Sequence, residues 1–277
     1  MRSMRDIRRR IRSVHSTQQI TRAMNMIATS RLRRAQENAI TNRAFTNAVW
    51  DAIQEIGSHQ VSSLFWRPRQ EGRLCYIVVG ADKGLCGPYN ANILRSFLES
   101  EGAGEGVHVI TGRRLQSQLR FRGISVDYYE EGGDLPTPKQ AERLASFVLP
   151  LFMNGEVREI NLLYTHFVNI LNREIKTVKL LPLDEFRADK ARQDLLWEPS
   201  EEAVFSKLIH HYVTSLIYNG LLEGKASEYA ARMVAMDAAT DNADDMIKEL
   251  TLQYNQARQA SITQEIAEIV GGAEALR

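Results

Sequence analysis

Residues Met233–Ser261 read MVAMDAATDNADDMIKELTLQYNQARQAS, and the spacing of the small and apolar positions in this stretch decides the fold. Met233, Met236, Thr240, Ala243, Ile247, Leu250, Tyr254, Ala257 and Ser261 alternate steps of three and four residues. That is a heptad seam, the pattern of a helix packed lengthwise along another long helix. The stretch belongs to a longer helical pattern that starts near Ser200 and runs without proline almost to the end. Long helices at a chain terminus transmit position or force, which is the expectation set here.

A second seam occupies the N-terminus. Ile7, Ile11, Val14, Gln18, Thr21, Asn25, Ala28, Leu32, Ala35 and Ala39 keep the same alternation, continued by Asn42, Thr46, Val49, Ile53 and Ile56. Small and polar seam residues weaken a coiled coil but fix its register and let the helices approach closely. At about 1.5 Å per residue, the N-terminal segment predicts a helix of about 75 Å and the C-terminal segment one of about 105 Å. The difference leaves an overhang of about 20–30 Å. There Ile262, Ile266, Ile269 and Val270 make the helix apolar on more than one side. Such a surface needs enclosure by an apolar sleeve. Two amphipathic helices of an ordinary bundle are the bland alternative, but bundles rarely need helices this long.

Charge supports the pairing. Residues 1–34 hold ten arginines (Arg2, Arg5, Arg8, Arg9, Arg10, Arg12, Arg22, Arg31, Arg33 and Arg34) against one acid, Asp6. Glu201 to Arg277 holds twelve acids against six Lys or Arg. Opposite charge at the two ends of a chain of net charge +1 predicts that the helices attract. With a globular segment between them, antiparallel packing is the simplest arrangement. An arginine run is often only a solvated face, but this density also points to an acidic partner surface.

The chain has 277 residues, 44% hydrophobic and 25% charged, which bounds it to one large or two modest globular domains. The apolar run around Tyr76 to Val79 is far too short to span a bilayer. An arginine-rich, acid-poor start can imitate a transit peptide, but here the seam already runs through it. Two cysteines and no signal peptide read as an intracellular, reduced protein.

Between the seams the pattern changes. Leu74 to Gly80 reads as a buried strand, Tyr89 to Glu101 as a helix, and Val107 to Thr111 as a second strand. Gly112 to Arg122 is predicted helical, Ile124 to Tyr129 a third strand, and Pro138 to Met153 a helix. Ile160 to His166 and Arg173 to Leu181 read as a hairpin turning near Asn169 to Asn172. The resulting fold class is α/β: a long antiparallel coiled coil of N- and C-terminal helices with an inserted Rossmann-like open α/β sheet domain. The predicted divisions are 1–57 and 200–277 for the coiled-coil helices and 73–182 for the α/β domain. Linkers are expected at Ser58 to Gly72 and Pro182 to Pro199.

The best candidate for small-molecule chemistry is Gly80-Ala-Asp-Lys-Gly-Leu-Cys-Gly87, which follows the first strand where phosphate loops sit. Lys83 precedes its glycine and no Ser or Thr follows, so it is not a Walker loop, and its glycine spacing is not that of the dinucleotide fingerprint. A tight turn needing positive φ is the simpler reading. Cys75 and Cys86 lack metal-ligand spacing and read as buried thiols. The six histidines are scattered, and Gly112-Arg113-Arg114 reads as a solvated basic turn in preference to an anion site. No catalytic constellation, cofactor site or metal site emerges.

IRRRIRSV at residues 7–14, TQQITRAM at 17–24 and RLRRAQ at 31–36 resemble the gamma subunit of the ATP synthase, bacterial type. So do DKGLCG at 82–87 with NAN at 90–92, AARMVAMD at 230–237, TDNA at 240–243, and the long run YNQARQASITQEIAEIVGG from Tyr254 to Gly272. The resemblance covers essentially the whole chain. It implies a non-catalytic rotor shaft that couples ion-driven rotation of the membrane c-ring to shape changes in the catalytic beta subunits. Implied partners are a ring of three alpha and three beta subunits, the epsilon subunit and the c-ring, with no nucleic acid, no cofactor and no membrane span. The implied place is the cytoplasmic face of the bacterial membrane, as a peripheral protein. Beta-subunit contacts carried over by resemblance are Met24, with Arg9, Arg10, Arg31, Arg33 and Arg34 around it, and Arg258, Gln259, Thr263 and Glu265 near the tip. Pro88 and Lys83 depart from the family's usual residues, and no cysteine-pair insert of the chloroplast type is present, so no thiol switch is expected. A generic coiled-coil adaptor and a nucleotide-binding α/β protein are the alternatives.

Overall fold

The computed structural model describes residues 4–57, 65–66, 68–183, 198 and 200–275. Most of both expected linkers, and the side chain of Ile56, lie outside the described residues. The chain divides into two compact units, one of residues 1–27 with 233–277 and the other of residues 28–232. Helix α1 (Met4–Gly57) and helix α5 (Glu201–Ala275) contribute to both.

In the first unit the two seams meet. Ile7, Gln18 and Thr21 of α1 and Met236, Thr240, Ala243 and Leu250 of α5 are buried, as the heptad pattern predicts. Thr21 and Thr240 share a hydrogen bond of 2.7 Å between their hydroxyls, and the Asn25 amide donates to Asp237 at 3.2 Å. Gln18 bonds Asp244, and the Arg8 guanidinium donates to the Tyr254 hydroxyl. Partner numbers fall along α5 as they rise along α1, so the helices run antiparallel. Polar pairs at seam positions explain the shortage of Leu and Ile: each buried hydroxyl or amide finds its partner only in one register.

The second unit is built on a five-stranded sheet of order β3-β2-β1-β4-β5. The strands are β1 (Arg73–Val79), β2 (Val107–Thr111), β3 (Tyr128–Glu130), β4 (Val157–Phe167) and β5 (Arg173–Leu181). All neighbours are parallel except β4 and β5. The intervening helices are α2 (Tyr89–Leu98), α3 (Arg113–Phe121) and α4 (Pro138–Met153). Strand order grows outward from β1 to β3 and then returns to the other side of β1. With crossovers of one hand, that reversal puts α2 and α3 on one face and α4 on the other. Cys75, Ile77 and Val79 point into the core shared with α4 and with Val49, Ile53, Phe205, Ile209, Val213, Ile217 and Leu221 of the long helices. Tyr76 and Val78 point into the opposite core with Ile93, Phe97, Leu115 and Leu119. A strand covered on both faces reads as an unbroken apolar run, which is why β1 was legible.

Local signals set several boundaries. The Thr137 side chain accepts from the Gln140 N–H and the Gln140 side chain accepts from the Thr137 N–H, so α4 opens on a capping box with Pro138 in its first turn. Asn169 Oδ1 accepts from the N–H groups of Leu171 and Asn172, closing the expected hairpin turn. One strand is shorter than its sequence predicts. Residues 124–127 do not pair, because the Ile124 N–H closes the end of α3 on Leu119 and Asp127 exchanges two bonds with the His108 backbone. β4 conversely starts earlier, at Val157, where it meets Arg73.

Candidate partner-binding surfaces

The Gly80–Gly87 turn is occupied by the chain itself. Asp82 Oδ1 accepts from the Arg113 N–H at 3.0 Å and the Gly132 N–H at 3.3 Å. A carboxylate thus sits at the start of α3, where an anion-binding helix would meet a phosphate, and it would repel one. The Ala81 N–H donates to Asn90 Oδ1 at 3.0 Å, and Lys83 pairs with Asp134 at 3.2 Å. Positive φ is confined to Leu85 at 62° and Gly87 at 55°. Gly80 is glycine for a different reason: a Cβ there would meet Leu115 Cβ at 2.7 Å. The reading as a structural turn therefore holds, with close packing added to backbone conformation as its cause. Among the described residues, no three or more His, Cys, Asp or Glu are grouped to hold a metal ion, and no helix is long and apolar enough to cross a membrane.

The arginine-rich helix presents its predicted residues unevenly. Arg10 and Arg34 are exposed; Arg9 lies 3.5 Å from Asp6, and Arg33 bonds Glu37 at 3.0 Å. Met24 is half-buried. Arg31 is drawn into its own unit, where it pairs with Asp134 and donates to the Tyr229 hydroxyl at 3.2 Å. The hydrogen bond that Arg31 donates to Asp134 raises the guanidinium's proton affinity, and the same bond holds the Asp134 carboxyl below its ordinary range. Arg8, on Tyr254, and Arg22, 3.9 Å from Asp244, reach across to the acidic part of α5. Each follows a seam residue, Ile7 or Thr21. Flanking positions of a heptad are where interhelical ion pairs form, so that signal could have found them.

Among the described residues, none covers α5 from Ile262 onward. Arg258, Gln259, Thr263 and Glu265 are all exposed, and from Ile262 to Ala273 every side chain is exposed. Ile262, Ile266, Val270 and Ile269 are among them, Ile269 at 72%. The Thr263 hydroxyl donates to the Gln259 carbonyl at 2.9 Å, leaving its lone pairs free to accept.

Against known proteins, residues 3–276 match a family model described as ATP synthase. An ATP synthase gamma chain of Desulforamulus reducens is 42% identical over 282 residues and all of both chains. The chain belongs to the ATP synthase gamma family. Another gamma chain, from Staphylococcus aureus, is 38% identical, again over the whole of both chains. The fold resembles a chain of the Euglena gracilis mitochondrial ATP synthase, at TM-score 0.66 and 18% identity over 99% of this chain and 94% of that one. It also resembles a chain of the Tetrahymena thermophila central stalk and c-ring structure, at TM-score 0.62 and 24% identity over 79% and 99%. As a gamma chain it is a non-catalytic subunit of a rotary ATP synthase, a component of its central stalk. The α/β fold and antiparallel helices expected from the sequence are those of the family.

Proposed function

We propose that this chain couples ion-driven rotation of a c-ring to conformational cycling of catalytic beta subunits, with its α5 tip inside a ring of three alpha and three beta subunits. The observation that carries this reading is the tip: a helix exposed on all sides from Ile262 to Ala273 and studded with four large aliphatic side chains. Ile262, Ile266, Ile269 and Val270 recur at helical spacing as one exposed apolar stripe, and such a stripe calls for an apolar partner surface. The helix's differing sides supply what a shaft needs, since it can bias three identical sites only through contacts that change with orientation. The functional parts are then residues 1–57 and 200–277 as the shaft and 73–182 as the foot toward the epsilon subunit and c-ring, on the cytoplasmic face of the membrane.

Arg9, Arg10, Arg33 and Arg34, with Met24, face acidic beta-subunit loops in this reading and steer them electrostatically, whereas Arg31 is taken up by Asp134 and Tyr229 of its own chain. Arg258, Gln259, Thr263 and Glu265 form a latch to a beta-subunit loop at one rotor angle. A hydrogen bond to a charged group contributes about 1.5–3 kcal/mol, enough to favour one angle and small enough to break every turn. Arg258→Leu or Gln259→Leu is expected to lower steady-state ATP turnover while the alpha, beta and gamma subunits still copurify. Unchanged turnover and unchanged rotational dwells in both variants would rule the latch out.

A further inference from the structure

Tyr229 is buried, and three cations surround its ring: Arg31 at 5.9 Å, Lys225 at 5.6 Å and Arg232 at 5.5 Å from the centroid. Its hydroxyl donates to the Asp134 carbonyl at 2.6 Å. Glu228, whose side chain is 3% exposed, accepts from Lys225 at 2.8 Å and Arg232 at 2.7 Å. Arg232 also donates to the Gly84 carbonyl at 3.2 Å. Asp134 in turn pairs with Arg31 of α1 and Lys83 of the β1–α2 turn. Four segments are joined: α1, α5, the loop after β1 and the loop after β3.

The place matters. In a sheet of this order, ligands bind beyond the carboxyl ends of the strands where strand order reverses, here around β1 and β4. α5 lies across those ends. Gly224 packs on Val79, the last residue of β1; its carbonyl accepts from Tyr89 at 2.8 Å, and Ser227 donates to the Thr165 carbonyl of β4 at 2.9 Å. The customary ligand crevice is filled by the chain's own helix, held there by the hydrogen bonds that Tyr89, Ser227, Tyr229 and Arg232 make between α5 and the α/β domain.

We propose that this collar is the torque coupling of the subunit, in which Tyr229, Glu228, Arg232 and Asp134 lock both long helices against turning relative to the α/β domain. Apolar contact is non-directional and lets a helix slip about its axis. Directional bonds between elements do not: a slip of α5 breaks the bonds from Tyr229 to the Asp134 carbonyl and from Arg232 to the Gly84 carbonyl, and a slip of α1 breaks the pair of Arg31 with Asp134. The collar residues are positioning residues, and the inference rests on the rotor reading.

The test uses the assembled complex in inverted membrane vesicles, comparing wild type with Tyr229→Phe, Asp134→Asn and the double variant. None of these residues belongs to the proposed beta-subunit contacts, so ATP hydrolysis should persist. Ion pumping per ATP hydrolysed, read as acidification or Na+ uptake, should fall severalfold, and most in the double variant. A merely structural role would lower hydrolysis and pumping together through reduced assembly, and that result overturns the proposal. So does an unchanged pumping ratio in all three. Asp134 is more than half exposed, which keeps Asp134→Asn foldable if the others are not. Absence of pumping by the wild-type complex would instead count against the rotor reading itself.

Discussion

The Cys75 thiol has no exposure, and burial pushes it up to about 12, with Asp127 adding to the shift. Burial, and then Glu228, also raises Cys86. The reactive thiolate is therefore scarce at neutral pH on both residues. Native protein should resist a thiol reagent at pH 7.5 and titrate both cysteines once unfolded in denaturant; stoichiometric labelling of native protein would contradict this. The sign for stability follows, since a folded state that holds its proton more tightly loses stability as pH rises. The loss from Cys75 begins above the unfolded value of about 8.5. The two buried thiols were legible in the sequence because each sits in an apolar run or tight turn without a partner cysteine. The Tyr229 collar was not legible. Its members come from α1, α5 and two loops, and no local spacing marks residues that meet only through tertiary structure.

At the scale of elements, two of the glycines of α5, Gly220 and Gly224, stand where a side chain would strike the sheet. A Cβ at Gly220 would lie 2.6 Å from Leu162 Cδ2, and one at Gly224 would lie 2.7 Å from Val79 Cγ1. Glycine in a helix interior costs about 1 kcal/mol relative to alanine, so close approach to the sheet outweighs propensity here. Gly224→Ala therefore should destabilise the chain by about 1–3 kcal/mol, the range for overpacking, even though it improves helix propensity. A thermal melt with a raised midpoint would show that α5 does not press on β1. The seams of α1 and α5 were readable because three-four spacing survives any substitution of small for apolar residues. The true start of β3 was not readable, since Ile124 to Asp127 alternate like a strand but spend their backbone and side-chain bonds on α3 and β2.

For the whole molecule, the order of segments carried most of the information: a helical seam, an alternating α/β insertion, then a second seam. The structure adds that the turn at Gly80–Gly87 places Asp82 on the first N–H of α3, where an anion would otherwise sit. What the tip touches could not be read from one chain, since in the proposed function its contacts are residues of other subunits. The central claim is that the chain turns inside the complex as its catalytic partners hydrolyse ATP. Phe121 is 91% exposed on α3, and both native cysteines are buried, so Phe121→Cys offers a single site for a probe. With the partner subunits fixed to a surface, ATP should drive sustained rotation of that probe in one direction. Continued ATP hydrolysis with a stationary or randomly fluctuating probe would contradict the account.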